Sequence, residues 1–355
     1  MIIQDELFES VMQSNLKKKS TEVRNNYIRL KYLLENKLYE DIVAEKLIPY
    51  RVDFEPTTRC FLNCRYCQVP NWNRKDLPDL SFDDFKKRID SMPCLLETKL
   101  QGQGEPLLNA DLFRMIRYAA DKNIIVRINT NGMLLNETNR KNVIDSGLFE
   151  MRLSLDGATK TTNEIMRPGL DFDRVVHNVT ELSKLRGQSP LPLLNVWMLL
   201  TKNNISELED MVDLCCKMGI DGLKIQTKLS VRNDRNIEKK VTEDTIDINS
   251  SETQRLFERV SKKAKEKGLY LEIFKNKWRS KENPCWWVWN SAVISNDGYV
   301  MPCCIIVNPD DINFGNINEK DFYNIWRSDK YNAFARALID MNICPLCKWC
   351  YNAGQ

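Results

Sequence analysis

From residue 51 onward the sequence alternates between short apolar runs and longer stretches of helical periodicity. The runs fall at 52–55, 98–101, 124–129, 149–155, 193–200 and 223–226, and 270–274 adds one more. Each is too short for a helix. Between them lie 81–92, with Ser81 placed as an N-cap, then 110–122, 137–145, 172–185 and 206–218, the last followed by Gly219 as a stop. Repeated strand–helix units predict parallel strands joined by right-handed crossovers. The class is therefore α/β: an open doubly wound sheet, or a complete or partial barrel.

Outside this rhythm the chain changes twice. Residues 1–48 read as helical, with Tyr27, Leu30, Leu33 and Leu34 at helical spacing. Residues 231–250 are polar and aperiodic and predict a loop, and 251–267 returns to helix. From Trp278 the chain becomes rich in Cys, Trp, Asn and Pro. The expected organisation is a helical extension at 1–48, a barrel-like domain at 49–275 and a small domain at 276–355. At 355 residues the chain can bury a large core without disulfides.

Lys and Arg number 52 against 49 Asp and Glu, which argues against a broad basic face for nucleic acid. No apolar stretch is long enough for a transmembrane helix, and the acidic, polar start does not read as a signal peptide. A cytoplasmic location is expected, with no membrane partner. There thiols stay reduced, so the 12 cysteines read as ligands before disulfides. The one histidine, His177, excludes multi-histidine metal sites and reads as structural.

Cys60, Cys64 and Cys67 sit within eight residues, directly after the first expected strand. Soft thiolates at this spacing select iron–sulfur clusters, zinc or copper(I). Zinc would want a fourth ligand, and none lies nearby. Three ligands to a four-iron cluster leave one iron open. This C-x3-C-x2-C run, with Tyr66 before its last cysteine, resembles the radical S-adenosylmethionine superfamily. Further motifs follow in the family's order. Gly102, Gln103, Gly104, Glu105 and Pro106 resemble its Gly-Gly-Glu-Pro turn, with Gln103 where the first glycine is usual. Thr130 and Asn131 belong to a Thr-Asn-Gly turn, Ser154 and Asp156 to a Ser-Leu-Asp-Gly turn. Arg167 matches a position near the cofactor's carboxylate.

Near the C-terminus, Cys285, twelve residues, Gly298, four residues and Cys303 resemble the opening of the accessory domain called SPASM or twitch. Cys344, Cys347 and Cys350 follow. The longer two-cluster pattern fails, because position 353 is Ala. The resemblance thus implies one auxiliary [4Fe-4S] cluster held by Cys285, Cys303 and two of Cys344, Cys347 and Cys350; a zinc ribbon is the alternative. Cys94 and Cys304 read as structural, and one of the adjacent pair Cys215 and Cys216 is expected to pack in the core. Trp286, Trp287 and Trp289 read as packing around the auxiliary cluster.

The resemblance implies a partial (β/α)6 TIM-like barrel with a small C-terminal iron–sulfur domain. It implies a first [4Fe-4S] cluster that binds S-adenosylmethionine and cleaves it reductively to a 5′-deoxyadenosyl radical, which takes a hydrogen atom from substrate. An external reductant such as flavodoxin or ferredoxin is implied. Two outcomes compete: oxidation of a small sugar or aminocyclitol, and maturation of a ribosomal peptide. No winged helix for a peptide leader is evident in the first 50 residues, which favours the small molecule. A non-catalytic zinc or cluster scaffold is the third reading. No catalytic acid or base is assigned.

Overall fold

The computed structural model describes residues 4–75, 77–229, 234–274, 279–281, 283–306 and 308–351. The expected boundary between 275 and 276 lies outside them.

The strands are β1 (Arg51–Phe54), β2 (Glu97–Leu100), β3 (Ile125–Thr130), β4 (Glu150–Ser154), β5 (Leu193–Leu199), β6 (Gly222–Gln226), β7 (Tyr270–Phe274), β8 (Ser291–Ile294) and β9 (Val300–Met301). They form one sheet in the order β7-β6-β5-β4-β3-β2-β1-β8-β9. Every pair from β7 through β8 is parallel, and β9 returns antiparallel to β8. The order does not bring β7 back to β9, so the fold is a partial barrel with crossover helices outside. Ser81 caps the helix Phe82–Asp90, accepting the Asp84 N–H at 3.1 Å, and Gly219 ends Leu208–Met218 in the left-handed region.

One expectation needs correction. Within 231–250, residues Arg235–Asp244 form a helix capped by Asp234, with Ile237 and Val241 buried four apart. Two apolar positions in ten gave too weak a period to see. In the C-terminal region β8 pairs with β1 from Arg51↔Ser291 to Phe54↔Ile294, so one strand of that region joins the sheet. That strand was hidden between a tryptophan-rich stretch and a turn.

Side chains alternate along each strand. Val52, Phe54, Leu100, Val126, Ile128, Met151, Leu153, Val196 and Ile225 join the main apolar core shared with the helices. The opposite face is charged. Arg51 pairs with Asp53 at 3.0 Å and Glu97 at 3.4 Å; Arg127 pairs with Glu97 and, at 2.9 Å, with Glu150. Glu150 also meets Arg152 at 2.9 Å and Lys224 at 3.3 Å, and accepts from the Asn195 amide at 2.6 Å.

The N-terminal helices Gln4–Lys17 and Thr21–Glu35 close the end of the barrel where the strands begin. Met12, Leu16, Val23 and Tyr27 pack with Leu96, Ile125, Phe149 and Leu193. Gln4 reaches the interior and exchanges hydrogen bonds with Asn195 at 2.7 and 3.1 Å. The C-terminal region grips the same extension: the Trp326 indole donates to the Leu47 carbonyl at 3.2 Å, and Trp289 stacks on Tyr39 with ring centres 4.6 Å apart. Among the described residues no helix is long and apolar enough to cross a membrane.

Glu150 is 2% exposed. Burial opposes its charge, but Arg152, Lys224 and Arg127 override that and hold its pKa well below the carboxylate range. Removing one partner of a buried charge network costs about 3–5 kcal/mol. Glu150→Gln is expected to lose a comparable amount in urea unfolding; a loss below about 1 kcal/mol would show that the network contributes no stability.

Candidate active site

The three-cysteine loop leaves the end of β1. It lacks regular structure, so backbone and side-chain ties hold it. The Asn63 N–H donates to the Pro168 carbonyl at 3.0 Å and the Arg65 N–H to the Met166 carbonyl at 2.9 Å. The helix Arg235–Asp244 supplies a further anchor: Asp244 accepts from the Arg65 guanidinium at 2.8 Å and the Tyr66 hydroxyl at 2.7 Å. Burial raises the pKa of all three thiols, Cys67 to about 11. Cys60 and Cys64 add to the shift at Cys67, which places the three sulfurs in one group. Such thiols keep their protons until a metal displaces them.

The turn after β2 packs beneath this loop. A Cβ on Gly102 would come within 2.2 Å of the Glu55 side chain, and one on Gly104 within 2.4 Å of the Thr57 carbonyl oxygen. Only glycine fits at both positions. Glu105 is buried. One of its carboxylate oxygens accepts from the Thr130 hydroxyl at 2.6 Å, the other from the Asn131 N–H at 2.9 Å. The second and third strand ends are thereby fastened together. At the fourth, Asp156 pairs with Arg167 at 2.8 Å and accepts the Leu199 N–H at 2.9 Å. The same guanidinium reaches to 3.8 Å from the Cys64 sulfur.

These parts enclose a cavity of about 440 Å³ at the strands' C-terminal ends. Its wall includes Cys60, Cys64 and Cys67, residues 102–105, Thr130, Asn131, Ser154, Asp156 and Arg167. Of the residues expected at the cofactor only Pro106 is absent from the wall; it is buried behind, opening a short 3-10 turn. The donor set fits a thiolate-held cluster beside a cofactor with both an ammonium and a carboxylate. Glu105 and Arg167 supply the complementary charges. Among the described residues no three His, Cys, Asp or Glu side chains are placed to share a single metal ion.

The C-terminal cysteines gather around Tyr351. The Cys285 N–H donates to its hydroxyl at 2.9 Å, and both Cys285 and Cys347 act on its pKa. Cys303 and Cys350 are electrostatic neighbours of Cys285. Cys344 joins through its carbonyl, which accepts the Cys347 N–H at 2.8 Å. Trp287 packs under the Arg51 guanidinium, 4.7 Å from its ring centre, whereas Trp289 belongs to the core.

Several residues were not singled out from the sequence. Cys304, read as structural, lines the cavity wall beside Lys99, Asp53 and Arg51. Cys304 lies in a turn after β9, so strand alternation could not have marked it. Lys99, Gln101 and Asn129 line the same wall. Alternation from the buried Glu97 marks the first two. Cys94 and Cys215 are buried as expected, but His177 is exposed on the helix Phe172–Arg186.

Glu55 is 3% exposed, and burial pushes its pKa up to about 7 although the Gln103 N–H donates to it at 2.9 Å. Between the ordinary carboxylate range and pH 7 the folded chain therefore holds more proton here than the unfolded one, so stability falls as pH rises. Unfolding measured from pH 4.5 to 8 is expected to show this fall in the wild type and less of it in Glu55→Gln. An identical slope in both would show that Glu55 is not its source.

Comparison with known proteins agrees with this geometry. Residues 54–215 match the model of the radical SAM superfamily, and 285–351 match that of the SPASM iron-sulfur cluster-binding domain. The tungsten-containing aldehyde ferredoxin oxidoreductase cofactor-modifying protein of Pyrococcus furiosus is 24% identical over 314 residues, covering 83% of this chain and 85% of that protein. The AdoMet-dependent heme synthase of Methanosarcina barkeri is 23% identical over 305 residues, covering 81% and 84%. The crystal structure of Streptococcus suis SuiB bound to S-adenosylmethionine superposes with a TM-score of 0.66 at 18% identity, over 85% of this chain and 72% of SuiB. The chain belongs to the radical S-adenosylmethionine superfamily with a C-terminal SPASM domain, and [4Fe-4S] clusters and S-adenosylmethionine are its cofactors.

Proposed function

We propose that this enzyme removes a hydrogen atom from a small polar molecule of the sugar or aminocyclitol type and oxidises it. The observation that carries the reading is the cavity, lined by both polar and apolar groups, into which the three-cysteine loop, the Glu105 turn and the Cys304 segment all open. At about 440 Å³ it lies at the lower end of the range for small-ligand sites, roughly 300–1,000 Å³, and the cofactor must share it. The two relatives matched over more than four fifths of their length are named for cofactor modification and heme synthesis, which supports a small-molecule substrate.

Cys60, Cys64 and Cys67 would hold the first cluster; Cys285, Cys303 and two of Cys344, Cys347 and Cys350 would hold the auxiliary one. When bound, the first cluster with S-adenosylmethionine supplies a carbon-centred radical, and the auxiliary cluster supplies an electron acceptor. The protein's own part is placement and exclusion of water. Glu105 and Arg167 orient the cofactor's charged end. Leu62, Met166 and Leu199 give the cavity apolar walls, and the N-terminal helices close the barrel below. Flavodoxin or ferredoxin is the proposed reductant.

Anaerobic reconstitution followed by dithionite and S-adenosylmethionine is expected to give about eight irons per chain and 5′-deoxyadenosine. Absence of 5′-deoxyadenosine would overturn the enzymatic reading. Cys60→Ala is expected to abolish cleavage, whereas Cys285→Ala lowers product formation far more than cleavage. Equal loss of cleavage in both would remove the separate roles. Deuterium transferred into 5′-deoxyadenosine from labelled sugars or aminocyclitols, and not from peptides, identifies the substrate class.

A further inference from the structure

Among the described residues the barrel interior holds one cation without an ion-pair or hydrogen-bond partner. Arg51, Arg127, Arg152 and Lys224 are each paired with Asp53, Glu97, Glu150 or Glu272. Lys99 projects from β2 into the same layer, yet among the described residues its ammonium makes neither an ion pair nor a hydrogen bond. Its charged neighbours are Arg152, Asp53 and Arg51. Asp53 is already taken, accepting twice from Arg51 at 3.0 Å. The local field is therefore positive, and burial in it pulls the Lys99 pKa down to about 7.

This cation faces the cavity. Lys99 lines its wall with Gln101, Asn129 and Cys304. The amide oxygens of Gln101 and Asn129 are out of reach of solvent and have no hydrogen-bond partner. An ammonium offers three donors and no acceptor, and matches an acceptor-only anion. An unpaired amide oxygen calls instead for a hydroxyl or amino hydrogen. At about 3.3 Å per residue, Lys99 lies about 10 Å deeper along β2 than the Gly102 turn, below the cofactor's end of the cavity.

We propose that Lys99 anchors an anionic group of the substrate, a carboxylate or a phosphate, while Gln101 and Asn129 accept hydroxyl or amino hydrogens from the same molecule. Within the sugar or aminocyclitol class the substrate is then one that carries a carboxylate or a phosphate ester. The inference deepens the reading of this cavity as the substrate chamber and rests on it. Lys99 acts as a specificity-determining residue, because a neutral ligand would leave a buried positive field uncompensated.

The test uses the full chain, reconstituted anaerobically, with inorganic phosphate and acetate as probes. Trace acetylation with acetic anhydride followed by peptide mapping reads the reactivity of each lysine. Saturation with one of the two anions is expected to slow acetylation of Lys99 at least ten-fold and to leave the exposed Lys262 unchanged. Protection by phosphate alone marks a phosphate ester; protection by acetate marks a carboxylate. Lys99 acetylation unaffected by either anion would overturn the proposal. Anion-dependent thermal stabilisation is expected to vanish in Lys99→Met and persist in Lys99→Arg; its survival in Lys99→Met would also overturn it. Formation of 5′-deoxyadenosine by the wild type without added anion tests the underlying reading separately, so the two failures are told apart.

Discussion

Glu150 is the hub on which the inside of the barrel depends. Parallel barrels are commonly filled by layers of branched apolar side chains, but the lower layer here is built from charges. Taking charges out of water is costly unless each finds a partner. Glu150 answers to Arg127, Arg152 and Lys224 at once, with Asn195 completing its coordination. The N-terminal helices make this arrangement possible. They bury the strand beginnings under apolar cover and insert Gln4 against Asn195, so the charged layer is shielded from below. What lies above it can then be polar and preorganised without opening to solvent from beneath.

Much of this was legible in the chain. The alternation of strand and helix gave the parallel sheet, since periods of 2 and 3.6 are imprinted by burial on one face. Ser81, Gly219 and the Asn131-Gly132 turn could be placed because their chemistry is local. The cofactor-side residues were legible for another reason: short motifs at strand ends depend on little beyond their own loop. What escaped depends on partners distant in sequence. Lys99 and Asp53 sit in runs that read as apolar, because only alternate residues face the helices. The helix Arg235–Asp244 shows two buried apolar residues and owes its place to Arg65 and Tyr66, some 180 positions earlier. β8 is four residues long, and nothing local reveals that its partner is β1.

Cys304 shows how one position can carry two meanings. Its neighbour Cys303 points toward the C-terminal cysteine group, whereas Cys304 opens into the cavity beside the charged layer. A single peptide step thus divides the cavity wall from the C-terminal cysteine group, and the two share a backbone.

The pairing of β8 with β1 has a mechanical consequence. The segment with the first three cysteines departs from the end of β1, and Cys303 follows β9, the antiparallel return from β8, while the Glu55 N–H donates to the Ile294 carbonyl at 3.0 Å. Both cysteine-bearing segments are therefore tied to neighbouring strands of one sheet. Sliding β8 past β1 requires ladder hydrogen bonds to break.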